Sequence, residues 1–216
     1  MSDTDRFHFC NEETLLGKGS RRRCYRMPGS ALCVKFNRLA SEFPPKTRLR
    51  IRWDTLLGSL FRCLNINYRE WKYHQRVLLK LPEDLARVFP EFMEPVRCPK
   101  NGWGVIETLI MNADGSQPRR VDQELCDSKD AEQRQRIYEA TQDLLQQLAD
   151  RSICFFDPQN ILLQWTGEGR FSLRITDFEP VCRVFVPGMA HVPPYVRYTV
   201  RRRAARYLAQ LRKHLA

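Results

Sequence analysis

Residues 158–178, PQNILLQWTGEGRFSLRITDF, place two strand-forming apolar runs on either side of TGEG. A short turn carrying two glycines between such runs predicts a β-hairpin. Just ahead of it, Asp157 and Asn160 stand three apart around Pro158. That spacing suits a polar turn, and it equally suits a place that holds a metal ion and a phosphate.

The rest of the chain is organised around this hairpin. Residues 14–36, TLLGKGSRRRCYRMPGSALCVKF, predict two or three strands, with a Gly-rich turn at 17–19 and a Pro-Gly turn at 28–29. Residues 38–52 carry Pro44-Pro45 and many arginines and are expected to form an exposed loop. From Asp54 to Leu79 apolar residues recur at helical spacing, which predicts one long helix or two, ended by Leu81-Pro82. Residues 85–98 hold Pro90 and Pro95 and read as irregular or edge strand. GWGVIETLI (102–110) reads as a buried strand before the turn NADG at 112–115.

Asp130 to Asp150 is an amphipathic helix with Ile137, Leu144, Leu145 and Leu148 on one stripe. A second, basic helix starts near Arg197, with Val200, Ala204, Tyr207, Leu208 and Leu211 as its apolar positions. The expected class is therefore α+β: a β-rich front part over 14–111 and a mainly helical back part over 112–216.

Charge and cysteine usage narrow the function classes. The net charge is +11 and the excess is local. Ten Lys or Arg stand against Glu42 alone between Lys18 and Arg50. Six Arg and one Lys meet no acid from Arg197 onward. Such fields attract phosphate in any form, as nucleotide, nucleic acid or lipid surface. No apolar run reaches the length of a membrane span, and the acidic, polar start lacks the features of a secretory signal. Eight cysteines are spread singly with no CxxC pair, so zinc ribbons and thioredoxin chemistry are disfavoured. They are expected to be reduced thiols, acting as small hydrophobes in a cytoplasmic protein.

Several residues carry chemistry only in combination. Gly17-Lys18-Gly19 lets backbone amides approach phosphates. Lys35 ends the apolar run LCVKF, Glu70 lies in the helical stretch YREWKYHQ, and Asp177 follows a strand. Taken singly, each reads equally well as a turn, a solvated charge or a cap. Their order is a Gly turn, a strand Lys, a helical Glu, a buried strand, a helix, and then Asn160 and Asp177 around the hairpin. That order resembles the protein-kinase fold across residues 15–179. Through GKGSRRRCY, LCVKF, YREWKYH and PQNIL, the chain is similar to the YrbL type of small bacterial kinase-like proteins, linked in name to the PhoP regulatory network.

The resemblance implies a small bilobal fold, ATP and Mg²⁺ as cofactors, and a role for each matching residue. Gly17, Lys18 and Gly19 would start the Gly-rich loop, with Arg22 where a third Gly is expected and Cys24 over the adenine. Lys35 would contact the α- and β-phosphates, with Glu70 as its ion-pair partner. The Glu107 carbonyl and the Leu109 amide would face adenine, and Asp114 would meet the ribose. Asn160 and Asp177 would hold the metal, Asp177 within Asp177-Phe178-Glu179, where Glu replaces the usual Gly.

The same alignment puts Phe155 at the position of the proton-accepting Asp, with Ile153 and Cys154 just before it. A Phe can neither orient a hydroxyl nor take its proton. Asp157 falls where kinases carry Lys, and it is open to a base role, a further metal contact or a turn. The 37 residues after Glu179 hold no APE-like motif and leave little for a peptide platform. A small-molecule, lipid-linked or sugar acceptor, or none at all, fits this most easily, with a protein acceptor as the harder case. A nucleotide-responsive pseudokinase is the alternative. An anionic membrane surface is a further expected partner through the basic C-terminal helix, while nucleic acid is disfavoured for want of a recognition motif.

Overall fold

A computed structural model describes residues 10–19, 21–98, 102–155, 157–167, 169–177 and 192–215. Its fold is α+β, as expected, and it divides into two compact units. The first is Met1–Leu81 with Pro90–Leu109, and the second is Pro82–Phe89 with Ile110–Ala216. The 82–89 segment belongs with the second unit because the Val88 carbonyl accepts from the Ile175 amide at 2.8 Å.

The first unit is built on a five-stranded antiparallel sheet. Its strands are β1 (Leu15–Lys18), β2 (Arg22–Arg26), β3 (Leu32–Asn37), β4 (Phe92–Cys98) and β5 (Gly102–Thr108), in the order β1-β2-β3-β5-β4. β4 carries Pro95 and lies at the sheet edge, where a missing N–H breaks no ladder bond. Cross-strand partners share a face, and alternate residues change face. Register therefore puts Tyr25, Val34, Phe36 and Ile106 on one side, where they form an apolar core with Cys98. Cys24, Cys33, Lys35, Val105 and Glu107 fall on the other.

Two helices join β3 to β4. α1 (Pro45–Leu60) occupies part of the expected 38–52 loop. A Pro pair reads as a breaker, but Pro45 is the first helical residue, where its absent N–H costs nothing and its φ is already helical. α2 (Ile66–Arg76) follows a break at Phe61–Asn65, so the stretch from Asp54 forms two helices. The Asn65 side chain caps α2, accepting from Asn67 N at 2.9 Å and Tyr68 N at 3.3 Å. α2 packs against β3, β4 and β5 and buries Asn67, Glu70 and His74. α1 instead exposes Leu49, Trp53 and Leu60.

The sheet leaves no room at one crossing. A Cβ on Gly104 would stand 2.4 Å from Phe36 Cε1 and 2.8 Å from the Lys35 carbonyl oxygen, whereas one on Gly17 would meet nothing within 4 Å. Gly104→Ala is expected to destabilise the protein by about 1–3 kcal/mol, the usual range for overpacking. Gly17→Ala is expected to stay within about 0.5 kcal/mol of wild type. Urea unfolding midpoints at equal m-value check both.

The second unit contains α3 (Glu83–Ala86), β6 (Arg119–Arg120), α4 (Val121–Asp127), α5 (Ala131–Asp150), β7 (Ile161–Gly167), β8 (Arg170–Ile175) and α6 (Pro193–Leu211). β7 and β8 form the expected hairpin, with β6 added on the β7 side. α4 had no counterpart in the sequence reading. Asp130 caps α5, accepting from Glu132 N at 2.9 Å and Gln133 N at 3.2 Å. The predicted stripe of Ile137, Leu144, Leu145 and Leu148 is buried.

α6 begins four residues before the expected start, again at a Pro pair. It packs on α5 and buries Val196, Val200, Ala204, Tyr207 and Leu211. Its apolar side is thus already covered, and what it offers to solvent is arginine. No helix among the described residues is long and apolar enough to cross a membrane. The seven described cysteines are free thiols. Only Cys33, Cys98 and Cys154 are buried, so the expectation of eight buried hydrophobes holds for three; Cys182 lies outside the described residues.

Candidate active site

The first unit assembles its charged residues on the sheet face that α2 covers. Lys35 is 5% exposed, and its Nζ lies 2.6 Å from Glu107 Oε1. Glu107, 2% exposed, also lies 3.8 Å from Cys33 Sγ. Glu70, fully buried on α2, pairs with the guanidinium of Arg22, whose second nitrogen stands 3.5 Å from Glu70 Oε1. Two cations and two carboxylates are therefore buried together. Buried ions persist only when paired.

This arrangement departs from the sequence reading in two places. Glu107, beyond the expected Glu70, stands beside the Lys35 amine, and Glu70 takes the Arg22 guanidinium. Glu107 was assigned a backbone role, yet its side chain is what enters the site. The Leu109 amide, expected at adenine, donates to the Ala31 carbonyl at 2.8 Å, which extends the β3–β5 ladder by one bond.

Gly17 and Lys18 lie on β1, and Gly19 begins a tight turn in which its amide donates to the Arg22 carbonyl at 2.8 Å. Lys18 Nζ stands 3.4 Å from Glu42 Oε2, an oxygen that also takes Arg23 at 2.8 Å. Burial pushes the Glu42 carboxyl up, but the Leu39 amide and Arg23 outweigh it and hold the group below the usual carboxylate range. Arg22 is the residue that sequence reasoning missed. It sits in a run of three arginines, and nothing in that run marks which one turns inward.

The second unit brings Asp157, Asn160 and Asp177 together. Pro158–Asn160 is a single 3₁₀ turn that leads directly into β7, with the Asn160 amide donating to the Asp157 carbonyl at 3.0 Å. Hairpin pairing sets Ile161 opposite Ile175, so Asp177 leaves the hairpin where Asn160 enters it. Asn160 Nδ2 donates to the Asp177 carbonyl at 2.9 Å, and the Asn160 carbonyl accepts from Thr176 N at 3.1 Å. The Asn160 Oδ1 remains as an acceptor beside the Asp177 turn. Asp177 itself takes φ +51°, the left-handed region, which Asp enters more readily than most non-glycine residues but at some cost. An amide oxygen and a carboxylate are hard donors of the kind Mg²⁺ takes.

Phe155 is 2% exposed and sits among core residues with Ile153 and Cys154. Burial pushes the Cys154 thiol up to about 12, so it stays protonated. Asp157 is half-buried. Asp114 is an exposed turn residue that accepts from Ser116 Oγ at 2.6 Å and Ser116 N at 2.9 Å, bonds that hold its carboxyl below the usual range. Its turn bonds to Trp165, near the far end of β7 from Asn160. Phe178 and Glu179 lie outside the described residues.

No family model matches the sequence, and no curated protein matches it. Among solved structures, the chain is similar to a double mutant of the kinase domain of PknI from Mycobacterium tuberculosis. The identity is 13% and the TM-score 0.46, over 91% of this chain and 71% of that one.

Proposed function

We propose that the protein is an atypical kinase of the YrbL type that binds ATP with Mg²⁺ and transfers the γ-phosphoryl group to a non-peptide hydroxyl. The observation that carries this reading is the Asn160–Asp177 pair. The Asn160 amide fixes the Asp177 carbonyl where the chain turns left-handed off β8, and non-glycine residues in that region cluster at functional sites. Two oxygen donors set at one hairpin mouth fit a divalent cation, which would neutralise phosphate charge when bound.

In this reading Lys35 stabilises the α- and β-phosphates, and Glu107 holds its ammonium in place. Asn160 and Asp177 hold the metal. The acceptor hydroxyl oxygen bonds to the γ-phosphorus while the bond from that phosphorus to the β–γ bridging oxygen breaks. The hydroxyl proton passes to the Asp157 carboxylate, and ADP leaves. Phosphoryl transfer has a loose transition state, so positioning and charge neutralisation carry most of the catalysis and a weak base suffices. The Gly17–Gly19 stretch and Asp114 complete the nucleotide contacts.

A thermal-shift series with Mg-ATP tests this. Saturating ligand stabilises by RT ln(1 + [L]/Kd), about 2.7 kcal/mol at one hundred times Kd. Wild type is expected to gain stability from Mg-ATP and less from ATP with chelator, and Asp177→Ala to lose that difference. No stabilisation of wild type by any Mg-nucleotide would sink the proposal. Burial of Phe155 at the base position favours a second reading, a nucleotide-responsive pseudokinase. Full stabilisation without ADP release or any phosphorylated product separates it from the first.

A further inference from the structure

Beside the Asp157 turn lies a groove of about 760 Å³ that the kinase reading leaves unassigned. One wall is Asp157, Pro158 and Gln159. The other is a stripe of α6 on which Tyr195, Arg202 and Arg206 recur at helical spacing. Ligand sites for small molecules fall in this size range.

The cations of α6 divide into two sets. Arg197 and Arg201 turn toward α5, where Arg197 donates to the Asp150 carbonyl at 3.3 Å and Arg201 pairs with the Asp150 carboxylate at 2.8 Å. Arg202 and Arg206 line the groove and are exposed, with no ion pair to any described residue. A second observation points inward. Tyr207 also lines the groove and is only 3% exposed; its buried hydroxyl makes no hydrogen bond of ordinary geometry, although the Asp122 backbone comes near it. Buried hydroxyls are rarely left so, because each costs the desolvation of its unmade bond.

We propose that this groove is the acceptor site and that the acceptor is a phosphorylated sugar or sugar-like polyol. This rests on the kinase reading for the reaction itself. Two guanidinium groups on one helix face suit a phosphate better than a neutral ligand, because each offers paired donors in a fork. Tyr195 and Tyr198 supply flat faces for a sugar ring, and the Tyr207 hydroxyl gains a partner in a ring hydroxyl. Asp157 stands at the groove wall, where a second ring hydroxyl meets it as the nucleophile.

Calorimetric titration without nucleotide tests the groove independently of the kinase reading. The probes are glucose 6-phosphate, glucose and inorganic phosphate at fixed ionic strength. Glucose 6-phosphate is expected to bind at least about tenfold more tightly than glucose, since a charge-assisted bond is worth at least that factor, and more tightly than inorganic phosphate through its ring contacts. Arg202→Gln with Arg206→Gln is expected to weaken it by at least about tenfold, and Tyr207→Phe by a few-fold with an unchanged Tm. Arg201→Gln is expected to leave it unchanged. Equal binding of glucose 6-phosphate and inorganic phosphate, or an equal loss from Arg201→Gln, overturns the proposal in favour of a diffuse positive field.

Displacement of glucose 6-phosphate by vesicles containing phosphatidylinositol 4-phosphate, and not by phosphatidylcholine alone, assigns the sugar to a lipid headgroup. Absence of displacement assigns it to a free metabolite. Glucose 6-phosphate binding that survives while Mg-ATP fails to stabilise wild type removes the kinase reading and keeps the groove as a binding site. Unaltered Mg-ATP stabilisation in the Arg202/Arg206 double variant alongside lost glucose 6-phosphate binding supports both.

Discussion

Glu70→Ala is expected to lower the unfolding free energy by about 3–5 kcal/mol, the cost of leaving a buried charge without its counter-ion. Arg22 is 4% exposed, so its guanidinium gains little water when the carboxylate is removed. Burying an ion pair is itself expensive, and for that reason an apolar replacement of both partners costs far less than removal of one. Arg22→Met with Glu70→Leu is therefore expected to recover most of the loss. The measurement is the denaturant midpoint of all four proteins in the cycle, compared at constant m-value. A single variant no less stable than wild type, or a double variant as weak as the single, would show that the pair is not the source of the cost.

Lys35→Ala is expected to reduce ATP turnover by about a hundred- to a thousandfold, the usual effect of deleting one group that stabilises developing charge. The variant also strands Glu107, which is 2% exposed and whose Oε2 has no hydrogen-bond partner among the described residues. Instability could then imitate loss of catalysis. Lys35→Met with Glu107→Gln separates the two effects. Removing both charges is expected to hold the melting temperature near that of wild type while turnover stays at the low level. Turnover that returns with stability in the double variant would assign Lys35 a purely structural role.

The parts of the fold that could be read in the sequence were those whose signal is local. The β7–β8 hairpin follows from two apolar runs around TGEG, and Gly167 and Gly169 do take positive φ, at +101° and +70°. α5 follows from a 3.6-residue stripe behind an Asp cap. α1 and the start of α6 were hidden by the same residue pair. Pro-Pro reads as a loop, yet at the first turn of a helix its rigid φ favours the helix.

The candidate site was less legible because its partners are chosen by register across the sheet. Lys35 was visible as a charge at the end of an apolar run. That Glu107 would stand beside it depends on Cys33 pairing with Glu107 and Lys35 with Val105, which no window of sequence contains. Leu109 lies inside the apolar run but was expected to face adenine, whereas its amide closes one more bond of the β3–β5 ladder. The groove beside α6 has no local signal, because a basic amphipathic stretch suits a lipid surface equally well until its apolar half is seen packed on α5.

The bond from Arg22 to Glu70 runs from the first residue of β2, directly after the glycine turn, to the middle of α2. Turn and helix are thereby yoked: a displacement of the strand tip drags the helix with it, and a helix rotated outward pulls the tip along. The sheet and its covering helix should travel as one plate, so a label on Lys72 and another on Arg26 would keep a constant spacing when Mg-ATP is added.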